Sequence, residues 1–143
     1  MVLAAPHVFV EAVNLAKITE MRARYHSEGV RDRLARYHGA NVDNAFFGWA
    51  DAWLSDDFAN WDLSEYLPGI TVPVLIIQGE DDAYGTVAQC RRIADGVDAD
   101  VATLMLSGCG HSPHHEQTER VVAAVADFVS NVKRPASLLA HGP

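Results

Sequence analysis

Two apolar runs, each followed by a helical pattern, constrain the fold of the second half of this chain. Val74 to Ile77 is a continuous, mostly β-branched run that stops at Gly79, and Val101 to Leu106 is a second run that stops at Gly108. Runs of this length predict strands buried on both faces, as in parallel sheets. An order of strand, helix, strand and helix predicts a right-handed parallel crossover unit. The sequence therefore indicates an α/β fold.

The two helices of this unit carry their own signals. Thr86 offers a capping hydroxyl with Gln89 three residues later, which is typical of a helix start. The last helix is expected from Glu116 to Val129, with Glu116 near the positive end of the helix dipole. Apolar stripes at helical spacing support both helices: Val87, Cys90, Ile93, Ala94 and Val97 in the first, and Val121, Val122, Val125, Phe128 and Val129 in the second.

The first half begins with another apolar segment and continues as helices. Val2 to Ala5 and Val8 to Val10 predict a buried strand that runs into a loop at Pro6 and His7. Apolar residues at three- and four-residue spacing then predict helices ending near Gly29 and Gly39, and a third from about Asn44 to Leu54. The third helix is apolar on so wide a face that it must be covered on more than one side.

Composition excludes several classes of function. The 143 residues are 49% apolar, and 11 basic against 19 acidic residues give a formal charge of −8. That charge repels phosphate backbones and anionic lipid surfaces, so we expect neither a nucleic acid nor a membrane partner. No stretch approaches the roughly twenty apolar residues of a membrane helix. Cys90 and Cys109 form no Cys-x-x-Cys unit, so we expect a reduced, cytoplasmic protein.

Two residues beyond the predicted strands are candidates for chemistry. Asp82 and His111 each follow the end of a predicted parallel strand by a few positions. Ligands of open parallel sheets bind outside the carboxyl ends of the strands, so both residues are expected on the same rim. Each alone fits a turn former or a solvated loop residue, but the pair predicts a catalytic acid and histidine.

Both loops resemble those of α/β-hydrolases. The stretch Pro73-Val74-Leu75-Ile76-Ile77-Gln78-Gly79-Glu80-Asp81-Asp82 resembles the family's acid strand, where the carboxylate follows the glycine by three residues, as Asp82 does here. Gly110-His111 resembles the pair after the last strand, and the order of acid before histidine agrees with the family.

The resemblance implies a division of the whole chain. Residues 1–11 correspond to the strand before the family's lid, residues 12–72 to the helical lid, and residues 73–132 to the C-terminal core, with a flexible tail at 133–143. The implied architecture is a partial parallel sheet with flanking helices, the C-terminal half of an α/β-hydrolase fold plus its lid.

The resemblance also implies roles. His111 takes a proton from a serine hydroxyl and returns it to the leaving group, while Asp82 fixes the histidine's tautomer. His7, Trp49 and Trp53 are candidates for contact with a small ester-like substrate, and no cofactor is implied. The family's Gly-x-Ser-x-Gly nucleophile turn occurs nowhere in the sequence. We therefore expect the nucleophile strand before residue 1, an inactive isolated chain, and pairing with a missing N-terminal half or a second copy.

Three alternatives remain at this point. In the first alternative, the chain is a non-catalytic fragment or degenerate paralogue that acts only by association with another chain. In the second alternative, a divalent metal such as zinc is bound by His111, His114, His115 and Glu116, although the spacing of these residues around Pro113 is poor for a metal site. In the third alternative, the nucleophile is Cys109, which stands between two glycines, although it lies in the histidine loop itself.

Overall fold

A computed structural model describes residues 1–27 and 29–132. A three-stranded sheet carries helices on both faces and a helical segment between its first two strands. The strands are β1 (Val2–Ala4), β2 (Val74–Gly79) and β3 (Val101–Leu106); the α-helices are α1 (Ala12–Arg24), α2 (Val30–His38), α3 (Val42–Trp53), α4 (Val87–Gly96), α5 (Pro113–Glu116) and α6 (Thr118–Val132); short 3₁₀ turns lie at Gly39–Asn41, Asp56–Phe58 and Ser64–Gly69. The predicted tail at 133–143 lies outside the described residues.

The sheet is parallel, in the order β1-β2-β3, with β2 at its centre. All six residues of β2 are buried. Successive side chains point to opposite faces of a strand, so Val74 and Ile76 pack with Ile93 of α4 on one face. Leu75 and Ile77 pack against α6 on the other. The mainly apolar sequence of β2 follows from this double coverage.

The prediction that β3 is buried on both faces was wrong. β3 lies at the edge of the sheet, where Ala102 and Thr103 are exposed and only Leu106 is fully buried. An apolar run therefore marked the strand correctly but not its burial, because burial depends on which elements lie beside the strand.

The first strand is shorter than the sequence indicated. β1 ends at Ala4, and Ala5 has a left-handed φ of +47°, a conformation that is rare for residues with a side chain. The chain thereby leaves the sheet before Val8 to Val10. Val8 and Val10 instead pair with the far end of the helical segment, where Leu63 N–H donates to Val8 O at 2.7 Å and Val10 N–H donates to Trp61 O at 3.2 Å.

A set of side-chain hydrogen bonds, here called the clasp, holds this departing segment. Gln89, fully buried on α4, accepts from Val8 N–H at 2.8 Å and donates to Phe9 O at 2.9 Å and to Glu11 Oε2 at 2.8 Å. Glu11 also accepts from the Thr86 hydroxyl at 2.6 Å and the Thr86 N–H at 3.0 Å. The start of α1 is thus tied to the start of α4. Thr86 caps α4 as predicted, because its hydroxyl accepts from Ala88 N–H. The Gln89 side chain does not take part in this cap and bonds instead to Val8, Phe9 and Glu11.

The helical segment has its own apolar cluster. Tyr25 is fully buried, stacks on Phe46 with ring centroids 4.1 Å apart, and donates its hydroxyl proton to Asp43. Arg31 binds the same carboxylate through two nitrogens at 2.8 and 2.9 Å. These hydrogen bonds lower the pKa of Asp43 to about 2, and those from Arg31 have the largest effect. The cluster joins α1, α2 and α3 into one unit that packs beside the sheet's rim.

Candidate active site

The loops after β2 and β3 leave the sheet side by side. Gly79 and Leu106 are register partners at the ends of the two strands. Beyond them, Glu80 N–H donates to Leu106 O at 3.0 Å and Asp81 N–H donates to Cys109 O at 2.9 Å. These backbone hydrogen bonds fix the distance between the acid loop and the histidine loop.

The crossing of the two loops requires a glycine at position 79. A Cβ atom there would overlap the carbonyl oxygens of Cys109 and Gly110. Gly79 therefore lets the histidine loop pass directly over the end of β2, a close approach that any larger residue would prevent.

Asp82 and His111 meet at this crossing. His111 Nδ1 lies 2.8 Å from Asp82 Oδ2. The Asp82 side chain is 1% exposed and the His111 side chain 38% exposed, so the acid lies beneath the imidazole and the imidazole faces the open rim. With Nδ1 occupied, Nε2 is the nitrogen left to exchange a proton, and it has no hydrogen-bond partner among residues 1–27 and 29–132. The contact expected from the sequence is present.

Asp82 is held in place by further donors. Its Oδ1 accepts from Tyr84 N–H at 2.7 Å and Gly85 N–H at 3.3 Å, and its Oδ2 accepts from Gln78 Nε2 at 2.7 Å. Burial on its own raises the pKa of Asp82, but the hydrogen bonds from His111, Tyr84 and Gln78 outweigh it, so the pKa lies below its ordinary value. The carboxylate is therefore charged and fixed near neutral pH.

Gln78 is a site residue that sequence reasoning missed. It is the last side chain of β2 before Gly79 and is 1% exposed. Besides Asp82, its amide donates to Gly85 O at 3.2 Å, and its oxygen faces the Cys90 thiol at 3.9 Å. The available signal was a glutamine in an otherwise apolar buried strand, because a buried amide needs polar partners.

Glu116 closes the histidine loop. Its carboxylate accepts from Gly110 N–H at 2.6 Å and from Ser112 N–H at 2.9 Å, on either side of His111 in sequence. The Gly110 and Ser112 donors lower the pKa of Glu116. The predicted single helix from Glu116 is in fact divided at Gln117, with Glu116 at the end of α5, so that its side chain reaches back to the loop.

His7 lies beside the pair formed by Asp82 and His111. Its ring centroid is 5.6 Å from that of His111 and 5.5 Å from that of Trp53, which it meets edge-on. Asn14 Nδ2, the donor, lies 3.4 Å from His7 Nδ1, which places the ring proton on Nε2. Burial lowers the pKa of His7, His111 lowers it further, and Asp82 and Glu11 oppose the change. His7 is thus held as a neutral imidazole at the rim.

The two predicted tryptophans are each linked to His111 through the ring of one intervening residue. Trp53 contacts His7, and Trp49 has its ring centroid 6.4 Å from Tyr84. Tyr84 itself lies 4.9 Å from His111. Sequence reasoning missed Tyr84, although it follows Asp82 by two residues, because an aromatic residue in a loop gives no sign of the direction in which it points.

Candidate nucleophiles within the described chain lie elsewhere. Cys109 is 1% exposed and packs with Leu75, Ile77 and Val121 on the α6 face of the sheet, where burial raises the pKa of its thiol. None of the described serines donates a hydrogen bond to His111; Ser107, in the same loop, donates to Glu80 at 2.6 Å. Ser137 lies outside the described residues. This burial disfavours a nucleophilic role for Cys109.

The alternative metal site lacks the necessary arrangement. Over residues 1–27 and 29–132, no group of three or more histidine, cysteine or carboxylate side chains is placed to hold a metal ion. Glu116 is engaged with backbone N–H groups, and the rings of His114 and His115 lie against each other, with centroids 4.3 Å apart, in exposed positions.

Known proteins resemble this chain over part of their length. No family model matches it. Epoxide hydrolase A of Mycobacterium tuberculosis is 27% identical over 105 residues, which cover 72% of this chain and 32% of that protein.

Three solved structures match most of the chain with similar geometry. A serine hydrolase involved in carbazole degradation, CarC, has a TM-score of 0.63 at 18% identity and covers 90% of this chain and 53% of its own. The putative non-heme bromoperoxidase BpoC of M. tuberculosis has a TM-score of 0.62 at 22% identity, with coverages of 93% and 58%. The meta-cleavage product hydrolase CumD of Pseudomonas fluorescens has a TM-score of 0.62 at 22% identity, with coverages of 93% and 56%.

The chain therefore spans about a third of the length of the curated relative and somewhat over half of each of these structures. Within the part of the chain that the structure describes, no helix is both long and apolar enough to cross a bilayer.

Proposed function

Because this chain has the fold of the C-terminal half of an α/β-hydrolase, we propose that it supplies the acid and the histidine of a Ser-His-Asp triad that hydrolyses esters. The observation that carries the proposal is the 2.8 Å contact between His111 Nδ1 and the buried Asp82. Asp82 fixes the proton of His111 on Nδ1, so that Nε2 accepts a proton from a serine hydroxyl and donates it to the leaving group.

The serine and the oxyanion hole come, in this proposal, from a polypeptide segment outside the 143 residues. The solved structures are nearly twice as long as the part that this chain matches. Two of them are named as hydrolases. The sequence contains no Gly-x-Ser-x-Gly turn. Residues 12–72 act as the lid, and His7, Trp49 and Trp53 line the substrate site on its inner side.

The mechanism requires water-poor surroundings for the proton transfers. The rings of His7 and Tyr84 both lie beside His111, and Trp53 packs edge-on against His7. The neutral His7, with its proton on Nε2, is a hydrogen-bond donor for a substrate oxygen. A second positive charge beside protonated His111 would cost energy, and neutral His7 avoids that repulsion.

A complementation assay tests the proposal. The chain is combined, in trans or fused, with a nucleophile-bearing half from one of the similar hydrolases, and turnover of p-nitrophenyl acetate is measured. We expect no turnover by the chain alone, turnover by the combination, and a loss of roughly 10³-fold or more on H111A or D82N. H115A is the matched control, because His115 is exposed in α5, directly after the histidine loop, and it should retain activity.

Two outcomes contradict the proposal. Turnover that survives H111A in the combination would remove His111 from the mechanism. Esterase activity of the purified chain alone, lost on H111A, would place the nucleophile within these 143 residues.

A non-catalytic function is the second candidate. It is favoured by the absence of a nucleophile turn from the sequence and by apolar side chains exposed on α6, namely Val122, Val129 and Val132. Such a chain would act through association with another chain. A combination that folds and assembles but stays inactive with every nucleophile-bearing half would support this candidate.

A further inference from the structure

β3 ends the sheet with an edge that lacks the usual protection against pairing. Within residues 1–27 and 29–132 its only strand neighbour is β2. The six residues Val101–Leu106 include no charged residue, proline or glycine. Proteins commonly block a free edge with lysine, proline, a bulge or a covering helix, because its backbone groups are a template for another strand. The composition of β3 therefore indicates an edge that a partner covers.

The backbone groups that face outward on this edge follow from the hydrogen bonds on its inner side. The carbonyls of Asp100 and Leu106 point toward β2, because they accept from Val74 N–H at 2.9 Å and from Glu80 N–H at 3.0 Å. The N–H and C=O of successive residues in a strand point to alternate sides. The residues with outward backbone groups are therefore Val101, Thr103 and Met105. No strand of the described sheet binds these three donors and three acceptors.

Charges of opposite sign lie at the two ends of the edge. Asp100 is exposed and directly precedes β3. Arg120 of α6 is exposed near the other end, because it donates to Gln117 Oε1 at 2.7 Å and Gln117 donates to Ser107 O at 2.8 Å. Glu80 also lies at that end, where the Ser107 hydroxyl donates to it at 2.6 Å. A second copy paired antiparallel would bring its Asp100 to the Arg120 end, whereas a parallel copy would bring like charges together.

An apolar groove lies beside the same edge. It has a volume of about 440 Å³ and is formed by the start of β3 and the end of α6. Its lining includes Ala102, Phe128 and Val132, and Val132 is 50% exposed. A strand added to β3 would cover part of this groove. Pairing would therefore bury apolar surface in addition to forming backbone hydrogen bonds.

We propose that β3 is a homodimer interface, on which a second copy of this chain pairs antiparallel about a two-fold axis at Thr103. Thr103 then exchanges two hydrogen bonds with the partner's Thr103, and Val101 exchanges two with the partner's Met105. The two-fold symmetry repeats these contacts, so every outward group of the edge is bound. Arg120 lies toward the partner's Asp100 on both sides of the axis. The two three-stranded sheets become one continuous sheet.

This inference goes beyond the hydrolase proposal and does not depend on it. β1 lies at the other edge of the sheet, so a second copy on β3 leaves β1 accessible to a separate N-terminal half. Because the paired strands run in opposite directions, the two rims with Asp82 and His111 lie at opposite ends of the joined sheet. Both rims therefore remain open in the dimer.

Disulfide cross-linking at the two-fold axis tests the pairing. T103C places two cysteines opposite each other with Cα atoms about 5.5 Å apart, a separation that a disulfide can span. The native Cys90 and Cys109 are buried and do not compete. We expect most of T103C to form a disulfide-linked dimer after mild oxidation at micromolar concentration, as seen by non-reducing electrophoresis. T19C, at an exposed threonine of α1, is the control and should form little. Equal cross-linking of T103C and T19C would overturn the proposal.

Amide hydrogen exchange tests the same edge in the unaltered chain. The three outward amides are bonded only in the dimer, so their exchange should slow about tenfold or more between low and high micromolar concentration. The inward amides of Ala102 and Leu104 face β2 and should exchange slowly at every concentration. Outward amides that exchange rapidly throughout would overturn the proposal. Outward protection that is independent of concentration, and is lost when the chain ends at residue 132, would also overturn it, because residues 133–143 would then cover the edge.

Charge reversal tests the antiparallel direction. In the T103C background, D100R or R120D alone turns two attractive contacts of each dimer into repulsive ones, and should weaken association about tenfold. The double variant D100R/R120D restores opposite charges across the interface and should regain most of the cross-linked dimer. A double variant that associates more weakly than both single variants would overturn the antiparallel arrangement.

Discussion

Replacing Gln78 with leucine should destabilise the chain by removing a buried donor to a charged acceptor. The Gln78 amide donates to Asp82 Oδ2 at 2.7 Å and to Gly85 O at 3.2 Å, and both Gln78 and the Asp82 side chain are 1% exposed. A hydrogen bond to a charged group contributes about 1.5–3 kcal/mol, and a neutral one about 1 kcal/mol. Leucine fills a similar volume, so the cavity cost is small. We expect Q78L to lose about 2–4 kcal/mol at pH 7, measured by urea unfolding.

The loss should depend on pH in a direction that the pKa of Asp82 fixes. Its pKa in the folded chain lies below the ordinary value of 3.8. The stability contributed by charged Asp82 is therefore present above about pH 4 and disappears as the pH falls through the lowered pKa. Q78L removes one of the hydrogen bonds that lower this pKa, so the difference between the two proteins should shrink once Asp82 is protonated in both.

Q117L provides the matched control for the same change of side chain. Gln117 donates to the Ser107 carbonyl at 2.8 Å and accepts from Arg120 Nη1 at 2.7 Å; both hydrogen bonds are exposed to solvent, and neither involves a carboxylate. It should lose at most about 1 kcal/mol, with no dependence on pH in this range. A loss of less than about 0.5 kcal/mol for Q78L would refute the reasoning. So would a loss that does not shrink as the pH falls from neutral through the titration of Asp82.

Three further predictions concern other parts of the chain. G79A should disrupt the crossing of the two loops and fail to fold stably by circular dichroism, whereas G48A, where a Cβ meets nothing within 4 Å in a helix, should stabilise by roughly 0.5–1 kcal/mol. D43N should reduce the loss of stability between about pH 4 and pH 2, because the depressed pKa of Asp43, about 2, makes its contribution disappear over that range; acid titration of helicity measures this. The isolated chain should sediment as a dimer or larger at micromolar concentration, and a compact monomer would contradict this, because β1 has a hydrogen-bond partner on one side only within the described sheet.

Local patterns in the sequence predicted the elements that position the site. The runs Val74 to Ile77 and Val101 to Leu106 formed the expected parallel strands, and the loops after them brought Asp82 and His111 together. Each of these features depends on a few adjacent residues and on the rule that parallel strands end at one edge. The likeness to solved α/β-hydrolases confirmed the predicted fold.

Features that depend on contacts between distant residues were not predicted. Val8 to Val10 has the composition of a strand, but Gln89, about eighty positions later, supplies the hydrogen bonds that a neighbouring strand would give. The polar contacts of Gln78 and the direction of Tyr84 likewise require the folded chain. Periodicity records which residues are apolar, and it does not record which partner a buried polar group will find.

The pairing of Leu63 with Val8 and of Val10 with Trp61 means that the helical segment leaves and rejoins the rest of the chain at a single point. An excursion whose two ends touch can be lengthened, shortened or exchanged without a change in the path of the strands on either side. The sheet rim, with Asp82 and His111, can therefore stay constant in evolution while the enclosing helices are replaced. The same site can be used in protein engineering. A short turn that joins residues 10 and 61 would leave a minimal core with the sheet rim, and helical segments from other proteins could be inserted at that turn.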